Sequence, residues 1–300
     1  MKRILVISKT PTHPTNAGNR QIILAYTELL KSMGHEVHFL YIPILPIGKA
    51  YKKESVESVL KTKSYWGEFY HEYRQNFFEN LWTSSLIHHF RKLTHSYWRV
   101  DDEFPNGLIN YTIQLNHKYR FDAVIVNYIF LSKVLCNLDI NKKAIFTHDS
   151  FTFKDIHVGI KDIPKALLPN EEAKGLQRGD YLFAMQDEEA VFFKMLSPNS
   201  KVLTNYSIYP FIEQPYCSNH NIVFLSGSNI FNINGLKWFI DSIFPLILHE
   251  FQDCQLLIGG SICKVIQNEY QYMKGIKLLG FIDDVSEFYK LGDIAINPVP

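Results

Sequence analysis

Residues 4–8, ILVIS, form a short apolar run, followed by a loop at 9–18, a helical stripe over 19–33 and a second apolar run at 36–42. The stripe is carried by Ile22, Ile23, Tyr26, Leu29, Leu30 and Met33 at i, i+3, i+4 spacing, and Gly34 stops it. Strand, helix and strand in this order predict a right-handed βαβ unit, the opening of a parallel sheet. Further strands are predicted at 121–128, 144–148, 180–185 and 201–203. The rhythm then breaks at 206–220, where Pro210, Pro215, Ser218 and Asn219 fall in a stretch without apolar periodicity, the mark of a linker. It restarts with strand 221–226, helix 234–248, strand 254–259, helix 262–273, strand 276–281, helix 283–291 and strand 293–299. The expected fold is α/β, with two Rossmann-like domains at 1–205 and 221–300. The second array shows four strands where about six are usual. It is therefore expected to be truncated by something over ~60 residues, at roughly 30 residues per βαβ unit.

Residues 51–118 depart from this rhythm as an aromatic-rich, helical insertion. Trp66, Phe69, Tyr70, Tyr73, Phe77 and Leu81 recur at helical spacing, as do Leu86, Ile87, Phe90 and Leu93. One reading packs these helices on the first domain, lining a cleft. The other, helped by Arg74, Arg91, Lys92 and Arg99, makes them a surface that touches membrane.

Bulk properties exclude several classes. A formal net charge of +1 without a Lys/Arg block gives no basis for a nucleic-acid partner. Cys136, Cys217, Cys254 and Cys263 form no C-x-x-C pair and no zinc spacing, so they read as reduced thiols of a cytoplasmic protein. MKRILVIS enters a strand at once with no signal-peptide h-region, and no apolar run is long enough to span a bilayer.

Chemistry is expected at the C-terminal ends of the strands, where open parallel sheets bind ligands. The loop 10–20, TPTHPTNAGNR, joins the first strand to the first helix, a place for an anion, although it lacks G-x-G-x-x-G. Its Gly18, Asn19 and Arg20 are either a binding loop or an ordinary turn. His148 and Asp149 end the strand 144–148; histidine can exchange a proton near neutrality, yet a structural His–Asp pair would look the same. In the segment 226–235 a strand, a Gly/Asn/Ser loop and a helix start make a phosphate cradle from Gly227, Ser228, Asn229, Asn234 and Gly235. Gly259-Gly260 is a tight turn that could approach a nucleotide, and Phe281-Ile282, after Gly280, and Asn297-Pro298 stand at the ends of the later strands. His88-His89 lacks metal-ligand spacing. Asp101-Asp102 and Asp283-Asp284 lack the intervening residue of a metal-binding D-x-D, and a helix is expected to start at Asp283.

The wording of several stretches resembles family 4 glycosyltransferases. The closest stretches are FDAVIVNYIFLSKVL at 121–135, KAIFTHDSF at 143–151, DYLFAMQDEEAVFF at 180–193 and IKLLGFIDDVSEFYKLGDIAINPVP at 276–300. The loop from Gly227 with Gly235-Leu236-Lys237-Trp238-Phe239 is similar to the family's donor loop. The resemblance implies the GT-B arrangement, two Rossmann-like domains facing across a cleft, with the acceptor on the first and a nucleotide-diphospho-sugar on the second. It implies a retaining transferase that needs no metal or other cofactor and uses a saccharide or lipid-linked acceptor. The expected setting is surface-polysaccharide or lipopolysaccharide synthesis, in the cytoplasm or peripheral to the membrane's inner face. His148 would meet the transferred sugar, Gly18, Asn19 and Arg20 the donor phosphate and acceptor, and the backbone at Phe281 and Ile282 the base.

This sequence departs from the pattern at the donor loop, where Asn229 and Asn234 stand near the positions of the family's Arg and Lys and only Lys237 follows. The family's next elements, a basic Gly-rich loop and a donor-gripping glutamate, would lie beyond Pro300. An apolar patch is accordingly expected around Ile294, Ile296 and Val299, and negligible transfer by residues 1–300 alone. A non-catalytic binding module and a sugar-nucleotide 2-epimerase remain as alternatives. Against the epimerase, no histidine follows His249.

Overall fold

The computed structural model describes residues 1–15, 17–43, 54–154, 166–206 and 220–298. The chain divides into two compact units, Met1–Ile208 and Tyr209–Pro300.

In the first unit β1 (Arg3–Ser8), β2 (Glu36–Tyr41), β3 (Tyr70–Glu72), β4 (Ala123–Asn127), β5 (Lys142–Phe146), β6 (Tyr181–Ala184) and β7 (Lys201–Thr204) form one sheet in the order β3-β2-β1-β4-β5-β6-β7. Every pairing is parallel. β1 is central, with Ile4 opposite both Val37 and Ala123. Its alternation feeds two cores: Leu5 and Ile7 join Leu40 and Val126 on one face, while Ile4 and Val6 join Phe39 and Ile23 on the other. Both faces of a parallel sheet need such cover. Helices α1 (Gly18–Ser32), α2 (Val56–Trp66), α3 (Phe77–Leu81), α4 (Ile87–Thr94), α5 (Gly107–Tyr119), α6 (Pro169–Leu176) and α7 (Asp187–Leu196) accompany it.

Residues 51–118 are not wholly helical, since β3 extends the sheet from within them, with Phe39 opposite Tyr70. Gly67, at φ +54°, ends α2 immediately after Trp66. The aromatic series from Trp66 to Phe77 is thereby divided among helix, turn and strand, because helical spacing among aromatics does not outweigh a left-handed glycine.

In the second unit β8 (Ile222–Leu225), β9 (Leu256–Gly259), β10 (Ile276–Gly280) and β11 (Ile294–Ala295) form a parallel sheet in the order β10-β9-β8-β11. Its helices are α8 (Ile230–Trp238), which widens into a π turn at Phe239–Ile243 and continues as α9 (Phe244–Glu250), then α10 (Cys263–Tyr270) and α11 (Val285–Tyr289). Three expectations are corrected here. α8 starts at Ile230 rather than 234, because the Asn229 side chain accepts from Asn232 N at 2.8 Å and caps it. Asp284, not Asp283, heads α11, accepting from Ser286 N and Glu287 N. β11 covers only two residues of the strand expected at 293–299. Ile294 is 57% exposed, Ile296 packs against the core, and Val299 lies outside the described residues. Most of the expected linker, 207–219, lies outside them too.

Both sheets share one order in outline: the first three strands of each run outward, and the fourth returns to the other side of the first. That reversal makes a topological switch point, in the first unit between β1 and β4, beside which ligands bind in open α/β sheets.

Candidate functional site

The first unit's switch point is built on Asn127, the last residue of β4 and fully buried. Its Nδ2 donates to the Ile7 carbonyl at 3.2 Å and to the Tyr26 hydroxyl of α1 at 2.9 Å. A carbonyl only accepts, so Nδ2 is fixed on that side and Oδ1 is the atom that meets His148 Nε2 at 2.8 Å. The Nε2 nitrogen therefore carries the proton, and the nitrogen left for a ligand, Nδ1, is an acceptor. Burial pulls the His148 pKa down to about 4, so the ring is neutral near pH 7.

His148 does not end β5 as expected but lies two residues beyond it, at φ +62°. Tyr128, immediately after β4, also has positive φ, +65° with ψ 144°. Two non-glycine residues in sparsely populated backbone regions, side by side at a switch point, mark a place where the fold tolerates strain. Their rings stack at 4.4 Å and 23°. The Tyr128 hydroxyl accepts from Asn19 Nδ2 at 3.2 Å, which ties α1 to the pair. Burial pushes the Tyr128 hydroxyl pKa upward, so it stays protonated.

The loop that carries His148 is held from behind. Thr147 donates twice to the Phe183 carbonyl, from N at 3.1 Å and Oγ1 at 2.9 Å. Fully buried Glu172 of α6 accepts from Phe151 N at 2.9 Å, Thr152 N at 2.7 Å and the Thr152 hydroxyl at 2.5 Å. Burial raises the Glu172 pKa, and these bonds oppose the rise. Asp149, expected as the partner of His148, pairs instead with Lys154.

The other loop residues divide. Gly18 opens α1 with nothing within 4 Å of where a Cβ would stand, so no contact within the protein demands glycine there. Arg20 faces inward, to Glu54 at 2.7 Å, Ser58 Oγ at 2.9 Å and the His13 carbonyl at 3.1 Å. It fastens the loop to the start of α2, and its guanidinium is occupied in this conformation.

In the second unit the strand ends converge. Ser226 N donates to the Gly259 carbonyl at 3.1 Å and Gly260 N to the Gly280 carbonyl at 2.6 Å. Gly260 has φ +98°, and a Cβ there would stand 2.1 Å from the Ser226 carbonyl oxygen; a Cβ on Gly259 would strike Ile282 at 2.7 Å. Both glycines thus have a packing reason, and Ile282 belongs to the small cluster of Val223, Leu257 and Phe288. Above them Gly227 has open space, Ser228 N donates to Ser261 Oγ at 3.1 Å, and Asn229 caps α8. Asn234 and Gly235 sit inside α8, not on the loop, and Lys237 is paired with Glu269 at 2.6 Å. Phe281 is 73% exposed just past β10, and Asn297 is exposed after β11 with Pro298 beside it. Of the five residues expected to form a cradle, only Gly227, Ser228 and Asn229 lie on the loop that leads into the N-terminus of α8. Among the described residues no three His, Cys, Asp or Glu side chains come together as a metal site, and no helix is long and apolar enough to cross a membrane.

Asn127, Tyr128, Tyr26 and Glu172 were not singled out by the sequence. Asn127 left a trace, a polar residue closing the apolar strand AVIVN, and Tyr26 read only as an apolar position of the α1 stripe.

Residues 219–300 match the family model described as glycosyl transferases group 1. A Klebsiella pneumoniae protein, "Uncharacterized 44.6 kDa protein in cps region", is 24% identical over 285 residues, covering 90% of this chain and 67% of that protein. Among solved structures, sucrose-phosphate synthase of Thermosynechococcus elongatus superposes with a TM-score of 0.62 at 14% identity, over 100% of this chain and 76% of that one. "Trehalose-6-phosphate from E. coli bound with UDP-2-fluoro glucose" gives 0.55 at 12% identity, over 98% and 77%. At these identities the superpositions establish the fold alone, an α/β chain with two Rossmann-like domains of the GT-B class. The family match is confined to residues 219–300, so it is the second unit that is similar to the glycosyl transferases group 1 family.

Proposed function

We propose that this transferase, of the family 4 type, moves a sugar from a nucleotide-diphospho-sugar to a saccharide or lipid-linked acceptor with retention of anomeric configuration. The carrying observation is His148, a neutral imidazole held by Asn127 and stacked on Tyr128 at the switch point. Its Nδ1 accepts a hydrogen bond from a hydroxyl of the transferred sugar, and its Nε2–H stays on Asn127. A neutral ring adds no charge beside the glycosidic centre and orients the sugar instead. In the second unit the diphosphate rests on the backbone N–H groups of Gly227 and Asn229 and the N-terminus of α8, whose dipole stabilises negative charge developing on the leaving group. No metal or other cofactor takes part. Surface-polysaccharide synthesis at the cytoplasmic side of the membrane is the setting, supported by the relative whose name places it in a cps region.

The test is release of nucleotide from a panel of UDP-, GDP- and ADP-sugars in the presence of saccharide and lipid-linked acceptors, with and without EDTA. Turnover with one donor, unchanged by EDTA, with the α- or β-configuration of the donor preserved by NMR, is expected. An epimerised free donor would replace this reading with an epimerase, and turnover lost to EDTA and restored by Mn²⁺ would remove the metal-free mechanism.

A further inference from the structure

The segment 77–94 turns the wrong side to the protein. α3, a π turn at Trp82–Leu86 and α4 form one continuous helical run. A helix on a globular domain ordinarily buries its apolar stripe and presents polar residues to water. Here the inward positions are largely polar: Thr83, Ser84 and Arg91 are buried alongside Ile87. Thr83 Oγ1 bonds Gln75 at 2.8 Å, and Arg91 makes a two-pronged ion pair with Asp102, 2.7 Å at each contact. The outward positions are apolar. Phe78 is 79% exposed and Leu93 81%, with Trp82, Leu86 and Phe90 exposed between them.

The π turn has a geometric consequence for this stripe. A side chain every four residues drifts by about 40° per step around a helix of 3.6 residues per turn. A wider turn, closed by i→i+5 bonds, takes up that drift. Placed between Trp82 and Leu86, it brings Phe78, Trp82, Leu86, Phe90 and Leu93 into one narrow ridge.

The charge around the ridge is one-sided. Between residues 74 and 99 the single carboxylate is Glu79, turned inward to the Tyr73 hydroxyl at 2.7 Å and Gly107 N at 2.6 Å. Lys92 is exposed on the same helix with His89, and His95 and Arg99 are exposed just after it, while the acids that follow, Asp101, Asp102 and Glu103, pair with Arg178, Arg91 and Lys9. A convex line of Phe, Trp and Leu flanked by cations suits an anionic lipid surface, which takes apolar side chains at the headgroup boundary and cations at its phosphates. A protein groove able to receive the ridge would need its own acidic rim, whereas a bilayer supplies that charge everywhere.

We propose that residues 77–94 form a membrane-docking ridge, in which Phe78, Trp82, Leu86, Phe90 and Leu93 enter the interface of an anionic bilayer and Lys92 and Arg99 meet its phosphates. The ridge deepens the expectation of peripheral membrane contact and does not rest on the transferase reading, since vesicle binding and sugar transfer are measured separately.

The test is flotation of the whole chain with vesicles of phosphatidylethanolamine and phosphatidylglycerol, beside vesicles of phosphatidylcholine alone. Flotation with the anionic vesicles is expected, weakened by salt. Phe78→Glu with Trp82→Glu should lower the bound fraction at least about tenfold, while thermal melting stays unchanged because both side chains are exposed. Lys92→Glu with Arg99→Glu should abolish the preference for anionic vesicles. As a second readout, lipids brominated near the headgroup should quench Trp82 in a chain carrying Trp238→Phe. No flotation of the natural chain, undiminished flotation of Phe78→Glu/Trp82→Glu, or a lipid-free dimer dissociated by that same pair would overturn the proposal, the last assigning the ridge to a second copy of the chain.

Discussion

The rings of Tyr128 and His148 stack at 4.4 Å, and each residue holds a positive φ just beyond the end of its own strand. β4 and β5 are neighbours in register, with Asn127 opposite Phe146, so Tyr128, one residue past β4, and His148, two residues past β5, leave the sheet at adjacent points. Asn127 and Asn19 then fix the pair from either side, on His148 Nε2 at 2.8 Å and the Tyr128 hydroxyl at 3.2 Å.

His148→Ala should lower kcat by about 10²-fold or more if the imidazole meets the reacting sugar, with the melting temperature little changed. The pH profile of stability carries a second signature. With a folded pKa of about 4 against 6.5 unfolded, below pH 6.5 the unfolded chain takes up a proton that the folded chain refuses. The neutral ring's contribution is complete above pH 6.5 and is lost as pH falls from there toward 4. His71, also pulled down to about 4 by burial, titrates in the same window, so His148→Gln should flatten the slope only in part. Unchanged kcat in a folded mutant would make His148 structural.

The sequence carried the strands of both sheets except β3, because parallel strands buried on two faces are nearly continuous apolar runs, such as ILVIS and NIVFL, whereas the three residues YHE of β3 are not. His148 was legible from the same logic, as a titratable residue after such a run. What stayed hidden depends on contacts between distant segments. Nothing local separates Glu172 from its neighbour Glu171, yet only Glu172 accepts from the loop some 20 residues earlier. Arg20 was expected at the donor phosphate and acceptor because it matches the loop of the resembled family, and only the fold shows Glu54 drawing it inward. The inverted helix at 77–94 was seen as periodic, but periodicity does not say which side faces the core.

Asn127→Asp should place a carboxylate beside His148 Nε2 and raise the histidine's pKa from about 4. Titration of the ring protons by NMR would show it. The same change removes the donor to the Ile7 carbonyl, so a stability loss of about 1–3 kcal/mol should accompany it. An unshifted titration would mean that Asn127 does not govern the ring, and the tautomer derived from it would fall.

Glu172→Ala should leave Phe151 N and Thr152 N buried without their acceptor and cost about 2–4 kcal/mol. The His148 loop would loosen with it, so hydrogen exchange at residues 147–152 should accelerate more than at β1. Equal acceleration at both would show a global loss of stability instead of a local clamp.

Gly18 and Gly260 give opposite predictions from one observation, the space around an added methyl group. Gly260→Ala forces a Cβ to within 2.1 Å of the Ser226 carbonyl oxygen at φ +98°, a cost of more than about 2 kcal/mol. Because the chain forms two compact units, that loss should appear in hydrogen exchange or proteolysis of the second unit before the first. Gly18→Ala meets nothing within 4 Å and sits at the first position of α1. It should leave stability unchanged or raise it by up to about 1 kcal/mol. If Gly18 is kept small for a ligand, the alanine variant should still raise KM for donor or acceptor. A variant equal to the natural chain in both stability and KM would return Gly18 to an ordinary helix start.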